Sequence, residues 1–547
     1  MGRFGSVMNE ILEYLHTFGQ LPFALRRFLK RRLTLEDAKH IIRDRMARRE
    51  ESFLRFVEAC VYGHRRSPYL PLLKAAGFTL NDLRALAARE GVDGALRTLR
   101  DADVYVTFEE FKGRRPIERL GLTIPVTARD FDNPTAGREL RFQTGGSTGA
   151  ASIVASNLDH IAARAPHRLV TLAAHGLSDA PTAIWRGILP ERGLSLLFFG
   201  VLTGNPPRRW FSPFSHRASH SWLKYVLATY YPLALMRLAG ERIPRPEYVG
   251  DDQAIVVARW AADTVKAEGR CLIRTGVSRA VRLSLAAQAA SLDLTGVTIT
   301  GGGEPPTPAK VSEIRRSGAR FIPNYGMTEA GQPGSGCVNP IDGSDVHLFK
   351  DTIALFTHPY HVADFGITVP AFNITTLLPT SPKVMLNVQT DDYGIVEERR
   401  CGCELESYGY TTHLREIRSY SKLTGEGVTL VGTEMLQILN ERLPARFGGS
   451  PLDYQLMEDE DAHGLTRLYL IVSPRVEIGD ERVVLEFMLQ QLRDSSSAAD
   501  AARVTWQHAG TIQVRRMEPV WTERGKLLPL HIPRRHGQRV PREGHTS

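Results

Sequence analysis

Three separated groups of residues have the types and spacing to handle a polyanion. The first is Phe142-Gln143-Thr144-Gly145-Gly146-Ser147-Thr148-Gly149-Ala150-Ala151-Ser152, a glycine- and hydroxyl-rich loop between two apolar runs. Its glycines let backbone N–H groups turn toward an anion without a side-chain clash, and Thr144, Ser147, Thr148 and Ser152 add hydroxyl donors. No lysine lies inside it, so it is not the G-x-x-x-x-G-K-[ST] cradle of ordinary nucleotide hydrolases and kinases. The second group, Tyr325-Gly326-Met327-Thr328-Glu329, puts an aromatic face, a hydroxyl and a carboxylate directly after a strand-like run. The third, Thr390-Asp391-Asp392-Tyr393-Gly394, reads as an acidic turn carrying Asp392. A nucleoside triphosphate calls for such a set. A flat ring stacks on Tyr325, ribose hydroxyls bind Asp392, and Mg²⁺, a hard cation bridging phosphates, takes Glu329 as its one protein carboxylate.

The elements around these groups read as an α/β chain. Val297-Thr298-Ile299-Thr300 is a strand stopped by Gly301 to Pro306, Pro308 to Ser317 is a helix, and Arg320 to Pro323 is the strand that delivers Tyr325. Asp159 to His175 and Asp252 to Ala267 read as helices, alternating with short apolar runs such as Leu194 to Leu202. Ser335 to Val388 is mostly β. After residue 418, helix and strand alternate in Glu434 to Arg442, Leu465 to Val472, Arg482 to Arg493 and Thr511 to Val514, a compact α+β module. The N-terminal part is helical, with Thr34 and Asp37 marking a helix start. These features divide the 547 residues into a helical lead-in (1–125), a core of β-sheets flanked by helices (126–417) and a small C-terminal α+β domain (418–547).

Composition bounds the function. Apolar residues at 42% and charged residues at 24% are ordinary globular values. Of the formal charge of +9, residues 1–50 supply +5, from eleven basic and six acidic side chains, so the remainder is nearly balanced and nucleic acid is disfavoured as a partner. The cluster Arg26, Arg27, Lys30, Arg31 and Arg32 is a solvated face, or a docking surface for a second copy of the chain, before it is a membrane contact. No run approaches ~18 uninterrupted apolar residues, and the absence of a signal-like start together with five sparse cysteines points to a reducing, cytoplasmic setting. Cys401 and Cys403, with His413 ten residues on, fall short of a four-ligand zinc set, Cys337 and His347 being remote in sequence. His216 and His220, among Trp210, Phe211, Phe214 and Trp222, belong to an acid pocket or, more simply, to core.

In this order the motifs resemble those of the adenylate-forming superfamily, the acyl-CoA synthetases and their relatives. Thr144 to Ser152 is similar to the family's Thr-Ser-Gly-Ser-Thr-Gly loop, Tyr325 to Glu329 matches Tyr-Gly-x-Thr-Glu, and Thr390 to Gly394 resembles Thr-Gly-Asp-x-Gly. Arg418, nine residues before Gly427, fits the hinge arginine, and Thr522-Glu523-Arg524-Gly525-Lys526 resembles the terminal Gly-Lys motif. The resemblance spans about residues 140–530 and is nearest to the phenylacetate-CoA ligase and acyl-protein synthetase branch, through the lysine-free loop, the lead-in around Ser67-Pro68-Tyr69 and the Cys401-Gly402-Cys403 run. The loop differs in carrying Gly145 where a serine is common, the hinge lacks an Asp after Arg418, and Arg524 precedes Gly525.

The resemblance implies a large N-terminal domain and a small mobile C-terminal domain. It implies that Thr144, Ser147, Thr148 and Gly149 contact ATP phosphates, that Gly303 and Glu304 line the adenine pocket, and that Tyr325, beside Gly326, stacks on the base. Thr328 would bind phosphate, Glu329 Mg²⁺, Asp392 and Arg418 the ribose, and Lys526 the carboxylate and α-phosphate. The expected activity is ATP- and Mg²⁺-dependent conversion of a small carboxylic acid to an acyl-adenylate, then transfer to a thiol, with CoA the default acceptor. Transfer to an acyl carrier protein, a protein cysteine or an amine is the alternative, and a nucleotide-binding protein without catalysis is the third.

Overall fold

The computed structural model describes residues 19–137, 140–143, 153–189, 191–213, 222–362, 367–419, 424–425, 428–429, 435, 438–461, 463, 465–495, 503, 506, 511–520 and 530–531. Local sequence explains how the helices begin. α1 (Leu35–Ala47) starts in a capping box in which Asp37 N donates to Thr34 Oγ1 (3.1 Å) and Thr34 N donates back to Asp37 Oδ2 (3.0 Å). Thr79 and Asp82 repeat the device at the start of α2 (Leu80–Asp101), which kinks where Gly91 takes φ +70°.

The main sheet has thirteen strands among the described residues. In chain order these are β1 (Val106–Thr107), β2 (Thr182–Trp185), β3 (Arg209–Ser212), β4 (Pro246–Tyr248), β5 (Cys271–Thr275), β6 (Val297–Gly302), β7 (Arg320–Met327), β8 (Gly331–Gly336), β9 (Val346–Leu348), β10 (Ile353–Val362), β11 (Ile367–Thr376), β12 (Val388–Glu398) and β13 (Thr412–Ser419). They lie in the order β10-β11-β12-β13-β9-β8-β7-β6-β5-β2-β3-β4, with β1 paired in parallel to β12. From β4 to β7 the neighbours are parallel, and from β7 to β10 antiparallel. The parallel strands are covered by helices, which is why Ile184, Trp185, Leu272, Ile273 and Ile299 are almost wholly buried. The helices include α3 (Leu158–Ala174), α4 (Gly193–Leu202), α5 (Ala254–Glu268), α6 (Val277–Ala289) and α7 (Pro308–Arg316).

Two local expectations change. The apolar run Leu194 to Leu202 is helix α4, buried on nearly all sides, and an unbroken apolar run does not by itself separate a buried strand from a buried helix. Thr390 to Gly394 lies inside strand β12 and is not a turn. The register shifts between Tyr393 and Ile395, and at Gly394 a Cβ would come 2.8 Å from the Arg415 carbonyl, so glycine lets the two strands approach.

The N-terminal segment shares its cores with the rest. Phe53, Leu72, Leu96 and Phe111 pack in one cluster with Leu348, Phe372 and Leu414, while Leu21, Leu25 and Phe28 pack with Leu194, Phe198 and Trp210. The basic cluster is partly spent within the chain, since Arg27 and Arg31 pair with Asp159 and Arg32 with Glu241. The C-terminal module has a sheet of β14 (Tyr454–Glu460), β15 (Thr466–Val472), β16 (Ile512–Arg516) and β17 (Leu530–His531), with α8 (Glu481–Ser495) and a core around Tyr454, Leu470, Met488 and Trp506.

Candidate active site

The parallel half of the sheet gives way to the antiparallel half between β7 and β8, and an open α/β sheet forms its crevice at such a reversal. Tyr325 to Gly331 occupies that position. Tyr325 is buried, its hydroxyl donates to Asp392 Oδ2 (2.8 Å), and its ring meets Phe372 edge-on at 6.2 Å. Burial, then the Asp392 and Asp391 carboxylates, raise the Tyr325 hydroxyl well above the ordinary tyrosine range, so it stays protonated. Asp392 lies across from Ser419, and Arg418 across from Tyr393, in the β12/β13 register. Tyr325 and Asp392, far apart in the chain, are thus brought together, while Arg418 faces Tyr393 on the neighbouring strand, and Thr328 and Glu329 follow Tyr325.

Basic side chains absent from the sequence reading surround the turn. Lys112 Nζ donates to Glu329 Oε1 (2.5 Å), and Arg192 Nη2 donates to Thr328 Oγ1 (3.3 Å). Arg186 ties three strand ends together, with Nη2 donating to the carbonyls of Thr275 (2.7 Å) and Gly302 (2.8 Å). Gly303 follows with φ +96°. Glu304 turns inward: its carboxylate accepts from Ser278 N (2.8 Å), Ser278 Oγ (2.5 Å) and Lys310 Nζ (3.0 Å). Burial alone would raise its pKa, but Lys310 and Ser278 outweigh burial and hold it below the carboxylate range. The remaining assigned residues, Thr144, Ser147, Thr148, Gly149 and Lys526, together with His216 and His220, lie outside the described residues.

Beside the turn is a cavity enclosing ≈ 530 Å³ of space, part of it open to solvent, lined among others by Arg164, Arg168, Arg274, Thr300, Asn324 and Gln332. Asn324 immediately precedes Tyr325, and Arg164 reaches the turn itself, since a Cβ on Gly331 would lie 2.7 Å from its Nη1. Arg164 and Arg168 stand one helical turn apart on α3, their guanidinium carbons 5.3 and 5.9 Å from the Phe199 ring centre. Among the described residues neither has a carboxylate partner, and Arg164 Nε, Arg168 Nε and Arg168 Nη1 are buried without a hydrogen bond. Burial, with Arg192 adding to it at Arg164, pushes both down to about 9, so both remain charged at neutral pH. The sequence signal was two arginines at i, i+4 within a helix whose buried residues include Ile161, Ala165, Leu169 and Leu172.

The strands also gather a set of metal-ligating side chains away from this cavity. One donor atom each from Cys337, His347, Cys401 and His413 lie within 4.8 Å of one another, and Cys403 Sγ is 3.2 Å from His347 Nε2. The expectation that Cys401 and Cys403 fall short of four ligands is therefore reversed. Sheet pairing supplies what linear spacing withheld, His347 standing directly opposite His413 in the β9/β13 register.

No family model and no curated protein matches the chain. Among solved structures it is similar to a 2-hydroxyisobutyryl-CoA ligase in complex with 2-HIB-AMP and CoA, at 16% identity, TM-score 0.51, over 89% of this chain and 90% of that one. It also aligns with the amide bond synthetase McbA of Marinactinospora thermotolerans, at 14% identity, TM-score 0.39, over 84% and 91% of the two chains.

Proposed function

We propose, from the premise that this chain has the adenylate-forming fold, that it activates a carboxylic acid carrying a second anionic group. The acid becomes an acyl-adenylate at the expense of ATP, and the acyl group then passes to a thiol, CoA by default. The observation that carries the substrate class is the cavity beside Tyr325–Glu329, with Arg164 and Arg168 in its wall and, among the described residues, no carboxylate to neutralise them. A charge held partly out of water without a partner carries a desolvation cost, which an ionic ligand group offsets when it pairs there. A neutral acyl chain would leave that cost in place.

The residues fit a nucleotide. The Tyr325–Asp392 hydrogen bond supports assigning these two residues to base and ribose, with Arg418 on the adjacent strand, and Glu329 offers one hard oxygen donor next to Thr328, as Mg²⁺ requires. When bound, the ion would neutralise phosphate charge. Arg192, through Thr328, and Lys112, through Glu329, hold the turn and add positive charge where two anions must meet. The carboxylate oxygen attacks the α-phosphorus, an O–P bond forms, and the bond to pyrophosphate breaks. Lys526 is assigned to the carboxylate and α-phosphate in that step, and positioning and charge stabilisation supply the rate without a covalent enzyme intermediate. The small domain then exchanges position to admit the acceptor.

The test is acid-dependent ATP–pyrophosphate exchange with paired substrates, dicarboxylic acids against their monomethyl esters, in aliphatic and aryl series. The expected outcome is at least a tenfold higher kcat/KM for a diacid than for its monoester, with the preference lost in Arg164→Gln and Arg168→Gln. Equal use of both members would remove the second anionic group, and absence of exchange with every acid, while ATP still binds, would remove adenylation.

A further inference from the structure

We propose that Cys337, His347, Cys401 and His413 hold a structural zinc ion that clamps the antiparallel half of the main sheet. Zn–S bonds of about 2.3 Å and Zn–N bonds of about 2.0 Å place the donors of a tetrahedral site about 3.3–3.8 Å apart. The four donor atoms already lie within 4.8 Å of one another, with Cys401 Sγ 3.7 Å from His347 Nε2. All five cysteines of the described chain are free thiols, and three of them, Cys337, Cys401 and Cys403, meet here.

The orientation of the histidines points to a shared cation. His347 Nδ1 donates to the Tyr410 carbonyl (2.6 Å), which leaves Nε2 as a lone-pair donor facing the two sulfurs of Cys401 and Cys403. His413 Nδ1 donates to Asp345 Oδ1 (2.7 Å), itself wholly buried, while His413 Nε2 is buried with no hydrogen-bond partner. A carboxylate or carbonyl on one ring nitrogen with the other turned to an ion is the outer support of a metal-binding histidine. An orphaned imidazole nitrogen in a fully buried residue is otherwise an uncompensated cost. Asn339 N donates to Cys337 Sγ (3.3 Å), the contact that a thiolate would draw. Binding releases one proton from each ligating thiol, with no change of oxidation state.

Cys403 stands next to the set and competes with His413 for the fourth position. Either closure gives the same mechanical result. Cys337 follows β8, His347 is in β9, Cys401 follows β12 and His413 is in β13, so the ion ties together strands whose other ends carry Asp392, Arg418 and the Tyr325–Gly331 turn. The proposal is independent of which acid, or whether any acid, is activated.

The experiment is metal analysis of the full chain purified under reducing conditions without chelator, followed by exchange into Co²⁺. The expected result is about one zinc per chain, and with cobalt a thiolate-to-metal charge-transfer band in the near ultraviolet together with intense tetrahedral d–d bands in the red. Cys337→Ser or Cys401→Ser should cut bound zinc at least tenfold. Of Cys403→Ser and His413→Gln, the one that changes the cobalt spectrum names the fourth ligand. Should those variants fail to fold, release of zinc from the wild-type protein by a thiol-specific mercurial, read with a colorimetric chelator, gives the stoichiometry directly. A wild-type chain holding less than a tenth of an equivalent of zinc and giving no cobalt bands, or one with these cysteines joined as a disulfide, overturns the proposal.

Discussion

Glu329 carries the two most opposed demands in the site. It is the one carboxylate on the turn suited to Mg²⁺, and it is bonded to Lys112, which is itself almost buried. A cation and an ammonium compete for the same oxygens, so the two partners predict opposite effects. Glu329→Gln should raise the Mg²⁺ concentration for half-maximal pyrophosphate exchange about tenfold, whereas Lys112→Gln, by relieving the competition, should lower it. Equal shifts in one direction would show that the pair is structural and that the ion binds elsewhere. Lys526→Ala should leave ATP affinity within about twofold while slowing adenylate formation by about 10²–10³, the usual effect of removing one preorganised charge. Single-turnover measurement of the adenylate checks this, and an unchanged rate removes the assignment. Motif chemistry was open to inspection in the sequence at these positions because Tyr325 to Glu329 lies within five consecutive residues. Lys112 was not, since 217 residues separate it from Glu329.

Helix α3 shows how one element can carry both packing and sensing. His160 and His175, at its two ends, are buried, and burial is the first cause that depresses both below the ordinary histidine range, with Arg164 and Arg192 adding to it at His160. A depressed folded-state value means that the unfolded chain binds protons first. The contribution to stability is therefore fully present above pH about 6.5 and is lost as pH falls below it. Thermal denaturation should show a falling midpoint from pH 7.5 to 5.5, and His160→Leu should flatten that limb. A midpoint that rises on acidification would contradict the burial argument. An anionic ligand seated by Arg164 and Arg168 should also reduce the slope, because its charge favours protonated His160. Gly331 gives a second handle on this element. It combines φ +94° with close approach to Arg164, so Gly331→Ala should displace that guanidinium and weaken diacid use more than ATP binding, read as KM for each substrate.

Among the described residues no helix is long and apolar enough to cross a membrane, and the C-terminal module has an apolar core of its own, although its Leu465 packs into a cluster of the large part. Ending the chain at residue 419 should therefore leave a protein that binds ATP but forms acyl-adenylate at least 10²-fold more slowly, because Lys526 is removed with the module. Isothermal titration and pyrophosphate exchange on that fragment check both halves, and retained exchange would relocate the catalytic cation to the large part. Linear sequence was enough for the α/β alternation, the helix start at Thr34 and the Tyr325–Glu329 motif, because each depends on side chains a few residues apart and on helix or strand period. It misread Leu194–Leu202 and Thr390–Gly394, where neighbouring strands and helices, not local preference, set the conformation. Only the folded chain joins Arg164 and Arg168 to Asn324 in one cavity wall, sets Lys112 on Glu329, and places Cys337, His347, Cys401 and His413 in one cluster. Those juxtapositions arise from strand order, register and helix docking, which bring distant residues into contact and leave no trace in their spacing along the chain.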